Sequence, residues 1–286
     1  MYYPLTHYYF LKKINEKLNS LVINNIEITD DLTFNAANFN NTTYFYKLIS
    51  FGRDKYNIAE KYEEGFNSFI ADCLLNINKN NDFNALYFIY GMVSTHILDS
   101  YLKQLTDAFK NEKLNYLTAS NMGDYYIGKI NDIDLCKTTI YKEFKNSFEY
   151  PDYLDDLIHS ACIRNFKLMA SNNYFKKAYK RKKAFYKRYT KASILTPFLW
   201  LGYIIKFKKI KFSQFRHREN INFDILNTKK LQYKLNGTTV NYTFNEVINA
   251  AYDEALNVIS KIDDYVFNNK DKGIREYFNI PKDKEM

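Results

Sequence analysis

Leu86-Tyr87-Phe88-Ile89-Tyr90-Gly91-Met92-Val93-Ser94-Thr95-His96-Ile97-Leu98-Asp99-Ser100-Tyr101-Leu102 is the stretch that decides how the rest of the chain reads. Leu86, Tyr90, Val93, Ile97, Tyr101 and Leu105 recur every three or four positions, the period of a helix with one buried face, and predict a helix over 82–110. Thr95, Asp99 and Lys103 fall on a neighbouring strip of it. The same period extends outward in both directions. Residues 5–21 put His7, Leu11, Ile14, Leu18 and Leu21 on one side, with His7 at the apolar edge, and residues 56–78 repeat the pattern through Tyr62, Phe66, Phe69, Ile70 and Cys73. Pro151-Asp152 opens a further helix through Leu154, Ile158, Ala161, Cys162 and Phe166. Thr243 and Glu246 form a capping box for a long last helix carrying Val247, Ile248, Ala251, Ala255, Val258, Ile259 and Ile262. Only eight glycines and four prolines interrupt 286 residues that are 46% hydrophobic, so the expected class is all-α. The expectation is a single domain over 1–286 with one short hairpin near 231–243, turning at Asn236-Gly237. Residues 27–46 read as loop.

Thr6-His7-Tyr8-Tyr9-Phe10 near the start, taken with Tyr90-Gly91 and Leu98-Asp99-Ser100, resembles the first and central helices of the zinc-dependent phospholipase C family, especially its signal-less clostridial branch. In that family the pattern runs Thr-His-Tyr-x-Phe, then Tyr-Gly-x-x-x-His-x-x-x-Asp-Ser-x-x-His-Pro. The resemblance covers residues 1–125 by motif and 240–265 by pattern. It implies a phospholipase C/nuclease-like helical bundle and, where the metal site is intact, a metal-dependent phosphodiesterase.

Residue by residue, the resemblance keeps the scaffold and loses most of the metal ligands. His7 matches the first-helix histidine, Asp99 stays in register, and Asp124 stands where a carboxylate follows a histidine four residues earlier. The family's Gly-Pro-Asp becomes Asn40-Asn41-Thr42, the next histidine becomes Tyr56, the histidine four residues after Tyr-Gly becomes Thr95, and His-Pro becomes Lys103-Gln104. Zinc needs imidazole, carboxylate or thiolate, and a catalytic zinc needs three such protein ligands plus an open position for water. The surviving candidates, His7, Asp99 and Asp124, therefore read as a vestigial metal site, with no cofactor or partial zinc occupancy. Lys103, one turn beyond Asp99, can stand in for the missing cation. Without the resemblance, His7 is a hydrogen-bonded helix histidine, Asp99 and Lys103 an i,i+4 surface ion pair, His96 a structural helix residue, and His159 a surface partner of Asp155 and Asp156.

Charge is segregated along the chain. Residues 164–218 contain 17 Lys or Arg and no Asp or Glu, while the remainder carries 24 basic and 32 acidic residues, so the net charge of +9 is +17 against −8. Lys176, Lys177, Lys180, Arg181, Lys182, Lys183, Lys187 and Arg188 are the candidate anion-binding residues, interleaved with Tyr179, Phe185, Tyr186 and Tyr189. Phe198 and Trp200 follow as candidate membrane contacts. Cations beside aromatics suit an anionic membrane or phospholipid head group. They also suit the phosphates of nucleic acid, a protein partner, or merely a solvated face.

Cys73, Cys136 and Cys162 form no short-spaced pair, which points to neither a disulfide framework nor a zinc knuckle. The N-terminus has no basic then apolar signal pattern, and the longest apolar run, 194–205, is twelve residues, short of the roughly 20 that span a bilayer. The expected location is cytoplasmic, peripheral at the inner membrane face. Three readings follow: a non-catalytic phospholipase C-like protein binding an anionic membrane, head group or protein; an active phosphodiesterase with a rearranged metal site; and a nucleic-acid-binding helical protein.

Overall fold

Residues 4–20, 30–39, 58–110, 123–124, 126–133, 149–167, 174–189, 230–235 and 238–279 are described by a computed structural model, and 85% of them are helical. The helices are α1 (Pro4–Ser20), α2 (Asp30–Phe39), α3 (Ile58–Asn80) and α4 (Leu86–Lys110), then α5 (Asp155–Phe166), α6 (Tyr174–Tyr189), α7 (Phe244–Asn268) and α8 (Lys272–Tyr277). Short 3-10 turns at Phe83–Ala85 and Asp152–Leu154 lead into α4 and α5. The all-α class follows from the apolar period of the sequence. Its hairpin is present as β1 (Leu231–Leu235) and β2 (Thr238–Tyr242), antiparallel with Leu231 opposite Tyr242 and Leu235 opposite Thr238. Among the described residues no helix is long and apolar enough to cross a membrane.

The chain divides into two compact units. One takes Met1–Phe10, His96–Lys145 and Lys183–Tyr252; the other takes Leu11–Thr95, Asn146–Lys182 and Asp253–Met286. In the first, Tyr126 meets Phe244 edge-on at 5.8 Å and its hydroxyl accepts from Asn245 Nδ2 at 2.6 Å. The predicted capping box is formed there: Glu246 Oε2 accepts from Thr243 N–H at 2.7 Å and Thr243 Oγ1 accepts from Glu246 N–H at 3.3 Å.

The second unit is built on aromatic rings. Phe39 of α2 lies 4.9 Å from Phe175 of α6, 5.6 Å from Phe88 of α4, and 5.8 and 6.2 Å from Tyr62 and Phe69 of α3. Phe69 stacks on Phe166 of α5 at 5.8 Å. Each well-placed ring pair adds about 0.5–1.5 kcal/mol beyond its buried area. Gly65 makes the α3–α5 approach possible, because a Cβ there would lie 2.6 Å from Phe166 Cε1.

The loop expected over 27–46 is a correction: Asp30–Phe39 is helix α2. Its Asn35 and Asn38 carry poor helix propensity, so local preference alone does not announce it. Tertiary partners hold it instead. Asn15 Nδ2 donates to Thr33 Oγ1 at 2.7 Å, Tyr179 Oη donates to the Asn35 carbonyl at 2.6 Å, and Ala36 and Phe39 are fully buried. The backbone of α2 sits directly on Gly91 of α4. A Cβ at Gly91 would be 2.5 Å from the Thr33 carbonyl oxygen and 2.7 Å from Ala36 Cβ. Elsewhere in this unit Tyr90 donates its hydroxyl to Asp263 of α7, and burial pushes the Asp263 carboxyl up to about 6.

Two outcomes follow. Gly91→Ala is expected to lower stability by about 1–3 kcal/mol through overpacking, although alanine is the better helix former by about 1 kcal/mol; a rise in the denaturation midpoint would refute the close contact. For Asp263, folding raises the pKa, so its contribution to stability is fullest below the ordinary carboxyl range, near pH 4, and is lost as pH rises through about 6. Asp263→Asn should therefore gain stability relative to the parent as pH increases from about 4 to about 6, read from urea midpoints across that window.

Candidate functional site

Helix α1 begins at Pro4, whose missing N–H suits the first helical position, and leaves the next amides without helical acceptors. Asp124 satisfies them from far along the chain. Its Oδ1 accepts from Thr6 N–H at 2.9 Å and from Thr6 Oγ1 at 2.8 Å, and the Leu5 amide also donates to this carboxylate. Asp124 is buried, and burial lifts its carboxyl to about 6 despite the Thr6 and Leu5 hydrogen bonds and the nearby His7.

The next residue of α1 carries the second contact. His7 is buried, and its Nε2 lies 2.9 Å from Asp99 Oδ1 of α4. Burial pushes the Asp99 carboxyl up, but the charge and hydrogen bond of His7 outweigh it, with a smaller contribution from His96, and the group is held below its ordinary range. Thr6, His7, Asp99 and Asp124 thus form one constellation within one unit: adjacent residues of a helix start hold two carboxylates whose protonation is pulled in opposite directions.

All three sequence candidates for the metal site, His7, Asp99 and Asp124, are brought to this helix start. Lys103 is not the cation that meets Asp99. It is exposed, and among the described residues no ion pair joins the two; the imidazole of His7 takes that place because it arrives already buried on the facing helix. Thr95, where the resemblance has a histidine, is buried and donates its hydroxyl back to the Gly91 carbonyl at 2.7 Å. Thr42 and Tyr56 lie outside the described residues.

Among the described residues, these side chains do not fit a multi-zinc centre. His7 Nε2 and Asp99 Oδ1 are committed to each other, Asp124 Oδ1 already accepts two hydrogen bonds, and Thr95 offers a neutral hydroxyl turned toward its own helix. Among the described residues no group of three or more His, Cys, Asp and Glu side chains is placed to hold a metal ion. Two participants carry weaker sequence signals. Thr6 sits beside a more reactive neighbour, although a hydroxyl in a first helical turn is a familiar capping signal. His96 precedes Asp99 by three residues, the spacing that puts both on one helix face, and helps hold the Asp99 carboxyl low.

The basic segment resolves differently. Of the anion-binding candidates in α6, Lys177 and Lys180 are exposed, Arg181 and Lys183 are half-buried, and Lys176 is bound to Asp152 at 2.5 Å. Lys182 is a correction: it is fully buried, because it shares the inward face with Tyr174, Phe175, Ala178 and Tyr179, and it cannot present its charge to a surface ligand. Lys187 and Arg188 stand in the last turns of α6 with side chains outside the described residues, and Phe198 and Trp200 lie outside them altogether.

Thr6→Val tests the constellation. It should cost about 1–2 kcal/mol at neutral pH, and less near pH 5, because a hydrogen bond to the ionised Asp124 is stronger than one to its neutral acid; equal losses at both pH values in chemical denaturation would refute the assignment. No family model, curated protein or solved structure matches this chain, so the meaning of the site rests on its own residues.

Proposed function

We propose that the chain is a non-catalytic protein on a phospholipase C-like helical scaffold, in which the residues left from a zinc centre bond to one another and the protein binds an anionic ligand, a phospholipid head group, without hydrolysing it. The observation that carries this reading is the 2.9 Å contact between His7 Nε2 and Asp99 Oδ1. A metal-activated hydroxide needs an ion held by several committed ligands and left open to water. Here the imidazole and the carboxylate are bonded to each other, and Asp124 serves as the N-terminal cap of α1. The scaffold reading is supported by Thr6-His7-Tyr8-Tyr9-Phe10, Tyr90-Gly91 and Asp99-Ser100, with His7 and Asp99 in hydrogen-bond contact across two helices. The anionic ligand is supported by the excess of 17 cations over no carboxylates in residues 164–218. This proposal places the protein in the cytoplasm, at the inner face of the membrane.

Metal content tests it. Protein purified without chelators, assayed by inductively coupled plasma analysis and zinc titration calorimetry, should hold less than stoichiometric zinc and leave a chromogenic phosphocholine ester uncleaved. Uptake of two or more zinc ions per chain, with hydrolysis abolished by Asp99→Asn, would overturn the proposal in favour of an active phosphodiesterase with a rearranged site.

A further inference from the structure

Among the described side chains of α6, the aromatic ones are inside the protein. Tyr174, Phe175, Ala178 and Tyr179 are buried, Phe175 against Phe39 and Tyr179 against Tyr150 at 5.3 Å. Among the described side chains of α6, the exposed ones are Lys177 and Lys180, at helical spacing. Among the described residues neither takes part in an ion pair, in contrast to Lys176, whose charge is met by Asp152.

A second element, α5, supplies further exposed cations. Helix α5 carries Arg164 in its last turn, with a side chain 47% exposed and 3.9 Å from Asp72, and is followed by exposed Lys167, which caps it in the left-handed conformation with φ 52°. The last α5 residue, Phe166, stacks on Phe69, and Phe175 near the start of α6 packs on Phe39, which itself stacks on Phe69. One ring cluster therefore carries both helix ends. Large apolar side chains are also exposed here: Tyr153, in the turn leading into α5, is 55% exposed and Ile163 is 42% exposed. Asp152, which precedes Tyr153, is the residue that holds Lys176.

Taken together, these observations lead us to propose that the exposed residues of α5 and α6, with Lys177, Lys180, Arg164 and Lys167 as cations and Tyr153 and Ile163 as apolar contacts, dock on an anionic phospholipid bilayer. The inference rests on the anionic-ligand reading above and names its partner. Cations meet lipid phosphates while a tyrosine and an isoleucine enter the head-group layer. The polyphosphate backbone of a nucleic acid offers Ile163 nothing apolar to meet. Because Tyr174, Phe175 and Tyr179 are committed to the core, docking through these residues' helix is governed by exposed charge and weakened by salt.

The test is co-sedimentation of the intact chain with vesicles of phosphatidylcholine alone or mixed with phosphatidylglycerol. Binding should require phosphatidylglycerol and fall steeply near 1 M salt, where screening reaches about 3 Å. Lys177→Glu with Lys180→Glu should reduce it by at least about tenfold, and the milder Lys177→Gln with Lys180→Gln should reduce it less. Both pairs should leave the melting transition unchanged, since both positions are exposed. Tyr153→Ser with Ile163→Ser should remove what persists at high salt. Equal binding to both vesicle types, indifference to the charge reversal, or tighter binding to single-stranded DNA than to phosphatidylglycerol vesicles would overturn the proposal. Its fate is separable from that of the non-catalytic reading. Loss of vesicle binding in a zinc-free protein sinks this surface alone, whereas vesicle binding by a zinc-loaded, hydrolysing protein sinks only the other.

Discussion

The missing side chain of Gly91 is the constraint on which the ring-built unit depends. Helix α2 has little propensity of its own and exists because its backbone can lie against α4, with the Thr33 carbonyl where a Cβ would otherwise stand. That seating drives Phe39 into contact with Tyr62, Phe69, Phe88 and Phe175. Rings on α3, α4 and α6 are thereby tied to one residue of α2, and Phe69 extends the cluster to Phe166 of α5. A glycine in a helix interior is a local cost of about 1 kcal/mol. Here the packing it admits outweighs that cost.

At the start of α1 the governing physics is the opposition of burial and hydrogen bonding. Asp124 is buried with its best partners being backbone amides and a hydroxyl, and burial wins, so its carboxyl rises. Asp99 faces an imidazole, and the charge of His7 wins, so its carboxyl falls. Adjacent residues of one helix turn, Thr6 and His7, produce these opposite results. The same side chains that could ligate a metal are here used to satisfy each other and a buried helix end. A site of this kind stabilises a fold as readily as it serves chemistry, because unpaired groups at a buried helix terminus are costly.

In α6 the same sequence string serves two faces. Charge alone marks Lys176 to Arg188 as one cationic block, but the helix turns its residues by about 100° each, and the turn sorts them. Lys182 goes inward with Tyr179 and Phe175, while Lys177 and Lys180 go outward. Tyr179, which the string interleaves with its cations, and Phe175, which precedes them, are core residues that meet Tyr150 and Phe39.

The sequence by itself determined what depends on local period and on short-range signals. The all-α class, the extents of α1, α3, α4, α5 and α7, the Thr243–Glu246 capping box and the hairpin strands flanking Asn236-Gly237 were all legible, because apolar spacing, caps and turn residues act within a few positions of themselves. The pairing of His7 with Asp99 was legible only through the likeness of two separated motifs. Tertiary structure alone decided the rest. It made a helix of Asp30–Phe39 where propensity argued for a loop, gave Asp99 the imidazole of His7 as its partner while leaving Lys103 in solvent, made Asp124 the cap of a helix more than a hundred residues earlier, and buried Lys182. The physical reason is common to all four. Each outcome is set by which group from a distant segment arrives to share a buried space, and burial changes the free energy of a charge or an unpaired backbone group by more than any local preference does.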